Sequence, residues 1–276
     1  MGQASGVETI AVELANAKLT RTLKITGVRD DGYHLIEAEM VTLSLADRLE
    51  FAPGSGLTVQ DRVTWTTHAG KERLGLVVPS DGSNLVSRAL RMVGAEFAVT
   101  LEKSIPSGAG LGGGSADAAA VLRHFGFDDL ERAATLGADV PFCISGGRAF
   151  VTGIGEFVEP LPYLEQSFVI VTPPFGIETA AVYRAYDMLG ESTDHSGKND
   201  LEPAAMLVEP RLAYWQDLLA SATGKEPVLA GSGSSLFVEC ADSERDELAA
   251  KVLERVKQRC EQALVVSAKS VRSAGE

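Results

Sequence analysis

Cysteine is scarce in this chain, which has three, Cys143, Cys240 and Cys260, among 276 residues. They form no Cys-x-x-Cys pair and their number is odd, which argues against both a disulfide framework and a cysteine zinc site. No two of the four histidines stand four residues apart, as two metal ligands on one helix face would. We therefore expect a protein of a reducing compartment with neither structural disulfides nor a zinc centre.

Basic charge and long apolar runs are also lacking. The 25 Lys and Arg residues face 38 Asp and Glu residues, so the net charge is −13 and the pI is near 4.8. This excludes a general nucleic-acid or anionic-membrane surface, because both need clustered cations. No apolar run approaches membrane-spanning length, and the first eight residues lack a basic segment followed by an apolar one. We expect a cytoplasmic protein, a monomer or weak homodimer, that binds neither nucleic acid nor membranes.

Glycine, by contrast, is concentrated in one segment, residues 103–117 (KSIPSGAGLGGGSAD), which contains five glycines. The segment lies between a predicted strand and a predicted helix that begins near Ser115. Glycine permits positive φ and close backbone approach, and the free N–H groups of a helix N-terminus attract an anion. The pattern predicts a cradle for a polyphosphate, although the literal Gly-x-Gly-x-x-Gly within it also fits a plain turn.

Three well-known phosphate-binding classes do not fit the surroundings of this loop. No Gly-Lys-Ser/Thr closes it, as in a Walker A loop, and no His-Arg-Asp or Asp-Phe-Gly follows, as in a protein kinase. A dinucleotide-binding fold would place parallel βαβ units around the loop, whereas a helical stretch and then Leu136-Gly137-Ala138-Asp139-Val140-Pro141 follow.

The pattern of apolar residues predicts an α+β protein in two parts. Strands are predicted at 8–14, 22–26, 38–45, 47–51, 57–60, 97–103, 148–152, 168–172, 228–230, 235–240 and 263–268. Helices are predicted at 84–93, after 115, and at 128–136, 178–189, 203–221 and 243–260. Residues 190–199 are a polar loop. The prolines at 160 and 162 mark the joint, which gives domains 1–159 and 160–276.

Two charged residues are candidates for chemistry, and each also has an ordinary structural interpretation. Lys18 stands at the exposed phase or the end of a predicted strand, where most lysines are solvated surface groups. Asp139 precedes Pro141 in an otherwise apolar stretch, where an aspartate is either a helix cap or turn former, or a base near apolar surroundings. Together with a phosphate loop, the pair would make a phosphotransfer site.

Two turns carry further candidates. In Asp31-Gly32-Tyr33-His34 an aromatic ring and an imidazole follow a turn, and such a pair can stack on a flat base and bond its edge. The same residues also fit an ordinary β-turn. Gly231-Ser232-Gly233-Ser234 joins two short strands and, taken alone, is a hairpin that needs no ligand.

Taken in order along the chain, these segments resemble the GHMP kinase superfamily and, within it, the kinases of 4-diphosphocytidyl-2-C-methyl-D-erythritol (CDP-methylerythritol) in the non-mevalonate isoprenoid pathway. The matching segments are Ala17-Lys18, Gly27, Asp31 to His34, Asn84-Leu85, Ile105-Pro106, Gly108 to Ser115, Leu136 to Pro141, Gly146-Gly147, Gly153 to Glu156, Thr179, Tyr183, Asn199 to Glu202 and Gly231 to Gly233. The resemblance implies a two-domain fold, with an N-terminal half like ribosomal protein S5 domain 2 and a ferredoxin-like α/β sandwich as C-terminal half.

The resemblance also implies the roles of individual residues. Asp139 would be the catalytic base toward the 2-hydroxyl of the substrate, and Lys18 would keep that carboxylate ionised and steady the transferring phosphoryl group. ATP, with Mg²⁺, would be bound by Asn84, Lys103, Pro106, Gly108, Gly110, Leu111, Gly112, Gly113, Gly114 and Ser115. CDP-methylerythritol would be bound by Tyr33, His34, Thr179, Tyr183, Gly231, Ser232 and Gly233, with the two tyrosines enclosing cytosine and His34 contacting its edge. The pattern identifies no Mg²⁺ ligand beyond Ser115.

The chain departs from the family pattern in two places. Thr20 stands where the family usually has asparagine, and the interval from Ser115 to Gly137 is shorter than usual. Two alternatives therefore remain, a GHMP kinase acting on another small alcohol and a non-catalytic nucleotide-binding relative. Retention of both Lys18 and Asp139 counts against the second.

Overall fold

A computed structural model describes residues 11–65, 78–190, 197–259 and 261–273. Several sequence features fall wholly or partly outside these ranges: the start of the strand predicted at 8–14, the loop at 190–199, the end of the helix predicted at 243–260, His68, His195 and Cys260. No helix in the described ranges has both the length and the apolar character needed to cross a membrane.

The first sheet has six strands in the order β3-β4-β2-β5-β6, with β1 paired to β2. The strands are β1 (Ala11–Val28), β2 (His34–Ala52), β3 (Gly56–Asp61), β4 (Ala98–Lys103), β5 (Arg148–Gly153) and β6 (Phe157–Leu161). β1 is one continuous strand where the sequence predicted two, because its middle, from Ala17 to Thr20, is buried on both faces and shows no alternation. β2 likewise joins two predicted strands, and β6 was not predicted.

The second sheet has four antiparallel strands in the order β10-β7-β9-β8. They are β7 (Ser167–Thr172), β8 (Val228–Leu229), β9 (Leu236–Cys240) and β10 (Leu264–Lys269). β7 is central and buried throughout, which explains its continuous apolar sequence. The predicted domain boundary at 159/160 lies inside β6, and the division into two domains there stays a prediction.

Eight helices lie in the described ranges. They are α1 (Leu85–Val93), α2 (Gly113–His124), α3 (Leu130–Ala134), α4 (Val140–Ser145), α5 (Thr179–Leu189), α6 (Glu202–Val208), α7 (Leu212–Thr223) and α8 (Asp242–Gln258). The predicted ends of α1 and α5 are confirmed. The single helix predicted at 203–221 is wrong: α6 and α7 are separate, with Pro210 between them, because proline lacks the N–H that would continue a helix. The short α4, behind Asp139, was not predicted as a helix.

The two sheets meet in an apolar cluster that supports the glycine loop. Ala17 and Leu19 from β1 pack there with Phe168 and Ile170 from β7, together with Leu111 from the loop itself. All five side chains are essentially inaccessible to solvent. The loop is therefore anchored at the junction of the sheets rather than suspended in solvent.

Candidate active site

The glycine loop ends at the N-terminus of α2, whose first turn has no side-chain cap. The N-cap residue is Gly112, in the left-handed conformation with φ 68°, and no side chain bonds to the first-turn amides. Gly108 and Gly110 also have positive φ, 70° and 76°. Since the first N–H groups of a helix have no partner within it, the start of α2 presents donors and the positive end of the helix dipole to an anion.

Two of these glycines are fixed by close packing. A Cβ at Gly110 would collide with the backbone carbonyls of Ala230 and Gly233. A Cβ at Gly112 would approach Cγ of Lys18 to 2.7 Å, closer than real Cβ atoms come. The loop thus lies directly against β1 on one side and the second glycine turn on the other, and only glycine fits these positions.

Lys18 and Asp139 form an ion pair beside the loop. The distance from Nζ to the Asp139 Oδ2 atom is 3.2 Å, and Nζ also donates to the Thr20 hydroxyl at 3.1 Å. The expectation of an exposed or strand-end Lys18 is wrong: the residue is mid-strand and 5% exposed, because β1 is covered on both faces. Asp139 stands at the N-cap position of α4, but its carboxylate caps nothing and is 30% exposed. The carboxylate is thus free to face a ligand.

Aromatic rings and an imidazole form the far wall of the site. The His34 and Tyr183 ring centroids are 4.8 Å apart with planes tilted by 35°, and Tyr186 meets His34 edge-on. Burial, and secondarily the Asp139 charge, raises the pKa of Tyr183 to about 12, so its phenol stays protonated. Tyr33 is 60% exposed at the rim. The His34 Nε2 atom lies 2.7 Å from the Asp187 carboxylate.

The second glycine turn is held to the site by hydrogen bonds. Buried Asn199 donates from Nδ2 to the carbonyls of Leu229 and Gly231, at 2.8 and 2.7 Å. The hydroxyls of Thr179 and Ser232 are 2.9 Å apart and link the start of α5 to the turn. The turn therefore joins α5 and β1 across the top of the pocket.

A buried ion cluster supports the loop from below. The Lys103 Nζ atom contacts Asp47 and, at 2.7 Å, Asp117. Asp47 also accepts the backbone N–H groups of Ser104 and Ile105, at 2.5 and 2.8 Å. Burial, partly offset by Lys103, raises the pKa of Asp117 to about 8. Burial opposes the charge on Lys103, yet the two carboxylates raise its pKa above the ordinary value.

Comparison with known proteins connects this arrangement to one family. The N-terminal domain of GHMP kinases matches residues 84–147. A 4-diphosphocytidyl-2-C-methyl-D-erythritol kinase of Paracoccus denitrificans (strain Pd 1222) is 38% identical over an alignment 244 residues long, gaps included, which covers 82% of this chain and 85% of that relative. One of Pelotomaculum thermopropionicum (strain DSM 13744 / JCM 10971 / SI) is 36% identical over an alignment 297 residues long, gaps included, which covers 93% of this chain and 97% of that relative. A solved 4-(cytidine 5'-diphospho)-2C-methyl-D-erythritol kinase has a TM-score of 0.69 at 30% identity, covering 95% of this chain and 100% of that one.

The chain belongs to the 4-diphosphocytidyl-2-C-methyl-D-erythritol kinase family. The α+β GHMP kinase fold and the assignment to an ATP-using kinase family, both predicted from the sequence, are thereby confirmed. The likeness of the two halves to ribosomal protein S5 domain 2 and to a ferredoxin-like sandwich stays a prediction.

Most residues that the family resemblance singled out surround one pocket of about 1040 Å³. Its wall includes Tyr33, His34, Asn84, Lys103, Pro106, Gly108, Gly110, Gly112, Gly113, Gly114, Ser115, Asp139, Thr179, Tyr183 and Ser232. Four predicted residues lie outside this wall: Lys18, Leu111, Gly231 and Gly233. Lys18 reaches the site through Asp139, and the Leu111 side chain is buried under the loop. The Asn84 amide is occupied, since it caps α1 through Val86 and donates to a backbone carbonyl.

The sequence analysis assigned no role to five residues that the structure places in or behind this kinase site. They are Thr20, Asp47, Asp117, Asp187 and Asn199. Asp117 stands within the glycine segment, and a carboxylate on the buried face of an alanine-rich helix could have indicated a buried cation. The others depend on contacts between residues distant in sequence, such as 153 positions between His34 and Asp187, and no local pattern reveals them.

Proposed function

We propose that this chain transfers the γ-phosphoryl group of ATP to the 2-hydroxyl of CDP-methylerythritol, a step of the non-mevalonate isoprenoid pathway. The hydroxyl oxygen forms a bond to the γ-phosphorus, the bond from that phosphorus to the bridging oxygen breaks, and ADP leaves. The hydroxyl proton passes to the Asp139 carboxylate. The observation that carries the proposal is the Lys18–Asp139 pair, 3.2 Å apart, in contact with both the uncapped start of α2 and the pocket that contains His34 and Tyr183.

The phosphate chain of ATP would lie against the first turn of α2. Gly112, Gly113 and Gly114 bring backbone amides to the surface without side chains in the way. These donors are fixed before the reaction, so they stabilise the developing charge without reorganisation. Lys18, whose aliphatic stem packs against Gly112, adds a positive charge beside these amides.

The nucleoside of ATP has room in an adjoining pocket of about 600 Å³. This pocket shares Lys103, Pro106 and Ser107 with the large one, so the two are continuous with the loop. Its wall is mainly apolar, with Leu57 and Val59 from β3. An apolar slot beside a phosphate cradle suits a flat purine base.

Mg²⁺ fits the site as a companion of the ATP phosphates. Ser115 in the first turn of α2 and Asp139 both line the large pocket with oxygen-bearing side chains, and oxygen is the ligand type that Mg²⁺ prefers. Ser115 is the residue that we assign to hold the ion together with the phosphates. When bound, the ion would neutralise charge on the β- and γ-phosphates.

The acceptor would occupy the side of the pocket that carries aromatic rings. Tyr33 at the rim and Tyr183 in the wall would enclose a flat pyrimidine, and His34, whose ring lies 4.8 Å from that of Tyr183, would contact its edge. From there the diphosphate and the methylerythritol would extend toward Asp139. Binding energy from the remote cytidine group would then position the hydroxyl, which is how distant contacts accelerate a reaction.

The proposal is tested by ADP release from ATP and Mg²⁺ with the purified protein. CDP-methylerythritol is compared with methylerythritol lacking the cytidine diphosphate group. We expect rapid turnover with the CDP-linked alcohol alone. Turnover with neither alcohol, despite measurable ATP binding, would overturn the proposed acceptor, and equal turnover with both would overturn the base pocket.

A further inference from the structure

His34 is held in one orientation by three neighbours. Its side chain is 7% exposed, the Tyr183 ring lies 4.8 Å away and Tyr186 meets it edge-on at 5.9 Å. The Asp187 carboxylate, on the same helix α5 as both tyrosines, lies 2.7 Å from Nε2. A buried ring with one nitrogen in a short charge-assisted hydrogen bond has little freedom to turn over.

The contact with Asp187 determines which nitrogen of a neutral His34 carries the proton. An ionised carboxylate only accepts hydrogen bonds, so Nε2 must be the N–H donor. The neutral ring then has a lone pair on Nδ1. Within the described part of the chain, Nδ1 has no hydrogen-bond partner and is not fully shielded from solvent. Since His34 lines the large pocket, this acceptor is available to a ligand there.

We propose that Asp187 is a specificity-determining residue: by fixing His34 with its proton on Nε2, it presents an acceptor to the pocket and selects cytosine over uracil. The two pyrimidines differ at position 4, where cytosine has an amino group and uracil a carbonyl oxygen. An acceptor binds the amino donor and repels the carbonyl oxygen. The inference rests on the proposed function for the identity of the ligand.

Asp187 acts through His34 and is therefore a positioning residue. Its own side chain is 56% exposed, so replacing it removes little packing. Without the carboxylate, either nitrogen of His34 can carry the proton, and the ring can offer a donor or an acceptor. Discrimination against uracil then falls, because a His34 donor on Nδ1 would bind the uracil carbonyl.

Binding of CDP and UDP, measured by titration calorimetry at one pH and salt concentration, tests this without requiring turnover. The wild-type protein should bind CDP more tightly than UDP. In Asp187→Ala the ratio of the two dissociation constants should fall by about tenfold, the value of one satisfied or broken polar contact. Asp187→Glu, which keeps an acceptor on a longer stem, should recover part of the ratio. Asp217→Ala removes an exposed carboxylate of α7 as the matched control and should leave the ratio unchanged.

Nitrogen-15 NMR of the labelled histidines gives an independent readout. The His34 signals, assigned by their loss in His34→Gln, should report protonation at Nε2 in the wild-type protein and a mixture in Asp187→Ala. A wild-type ring protonated at Nδ1, or an unchanged ratio and tautomer in Asp187→Ala, would overturn the proposal. Failure of the kinase assay with CDP still preferred over UDP would overturn the proposed reaction and leave this inference standing.

Discussion

Asp139 faces the pocket with a carboxylate that has no structural task of its own. It makes no capping hydrogen bond to α4, and its Oδ2 atom forms the 3.2 Å ion pair with Lys18. Replacing the carboxylate by an amide keeps the shape and removes the ability to accept the substrate proton. The reaction of the acceptor hydroxyl requires this carboxylate, whereas binding of the ATP phosphates requires the start of α2. A substitution of Asp139 should therefore affect turnover without affecting ATP binding.

We expect Asp139→Asn to lower kcat by about 10²–10⁴-fold, the usual contribution of a positioned base, while the dissociation constant for ATP changes little. Initial-rate kinetics and equilibrium titration of ATP measure the two quantities. Asp217→Asn, with the same chemical change at an exposed position, serves as control. Equal losses in turnover and ATP binding would contradict the role of Asp139 as base.

Thr20 lies two residues after Lys18 on β1 and holds the Lys18 ammonium with its hydroxyl. Its hydroxyl is buried and accepts a hydrogen bond from Nζ at 3.1 Å. Thr20→Val keeps the shape and removes the acceptor, so we expect kcat to fall by about tenfold with the KM for ATP nearly unchanged. Thr20→Ser should restore most of the rate. If valine and serine behave alike, the hydroxyl does not position Lys18.

Among the secondary-structure elements, the glycine loop and the end of α1 each require a glycine, for different reasons. Gly110 has φ 76° and also lies against two backbone carbonyls, whereas Gly94, at the end of α1, has φ 66° with open space around it. Gly94→Ala should therefore report the cost of the left-handed conformation alone, about 1 kcal/mol. Gly110→Ala should cost several times more, because backbone atoms cannot move aside.

Urea denaturation measures both glycine variants, and ATP titration shows whether the loop keeps its shape. We expect Gly110→Ala to lose ATP binding at temperatures where it is still folded, and Gly94→Ala to bind ATP normally. Equal destabilisation by the two substitutions would show that the contact with the second glycine turn does not constrain the loop.

On the buried face of α2, Asp117 should make stability depend on pH. Its pKa is 3.8 for an unperturbed carboxyl group, as in the unfolded chain, and about 8 in the folded chain. The folded protein therefore binds an extra proton between those values, and the free energy of unfolding falls as the pH rises from about 4 to 8. Asp117→Asn has no carboxyl group to ionise, so its free energy of unfolding should not fall with pH for this reason.

The difference in free energy of unfolding between Asp117→Asn and wild type should shift in favour of the variant by on the order of 2–4 kcal/mol from pH 5 to pH 8. Urea titrations at the two pH values measure it. Asp217→Asn, at an exposed site, should show no such shift. A wild-type protein that is as stable relative to Asp117→Asn at pH 8 as at pH 5 would mean that Asp117 is ionised throughout.

For the whole molecule, local sequence was sufficient where one segment makes the feature by itself. The glycine loop and the starts of α1 and α5 depend on neighbours within a few residues. The middle of β1 could not be predicted locally, because Lys18 and Thr20 are buried only when the second sheet covers that strand. Periodicity reports one covered face, and β1 has two.

The site shows the same division. Tyr33 and His34 are adjacent in the sequence and their turn could be identified, but the partners of His34 on α5 come from more than a hundred residues later. The family resemblance supplied Tyr183 because it forms part of a pattern. It could not supply Asp187 or Asp47, whose roles follow from a distance in the folded chain.

The two sheets are also joined by charge, through Arg21. This residue of β1 contacts Glu39 on β2 and, at 2.7 Å, Glu239 on β9. Burial opposes ionisation of Glu239, but its bonds to Arg21 and Gln166 outweigh burial and lower its pKa. A carboxyl group whose pKa is lower in the folded than in the unfolded chain stabilises the fold at pH values above its unfolded pKa. This stabilisation is lost as the pH falls through the folded pKa. The junction that supports the loop should therefore weaken in acid.

Glu239→Gln should reduce the free energy of unfolding at pH 7 by about 1 kcal/mol, a modest value because the side chain is 39% exposed and solvent screens the pair. The deficit relative to wild type should shrink as the pH falls below about 4, where the wild-type carboxylate also becomes protonated. Urea titrations at pH 7 and in acid measure it, with the exposed Glu159→Gln of β6 as control. A deficit that stays constant into acid would assign the effect to packing, and the same deficit in both variants would show that Arg21 does not join the sheets.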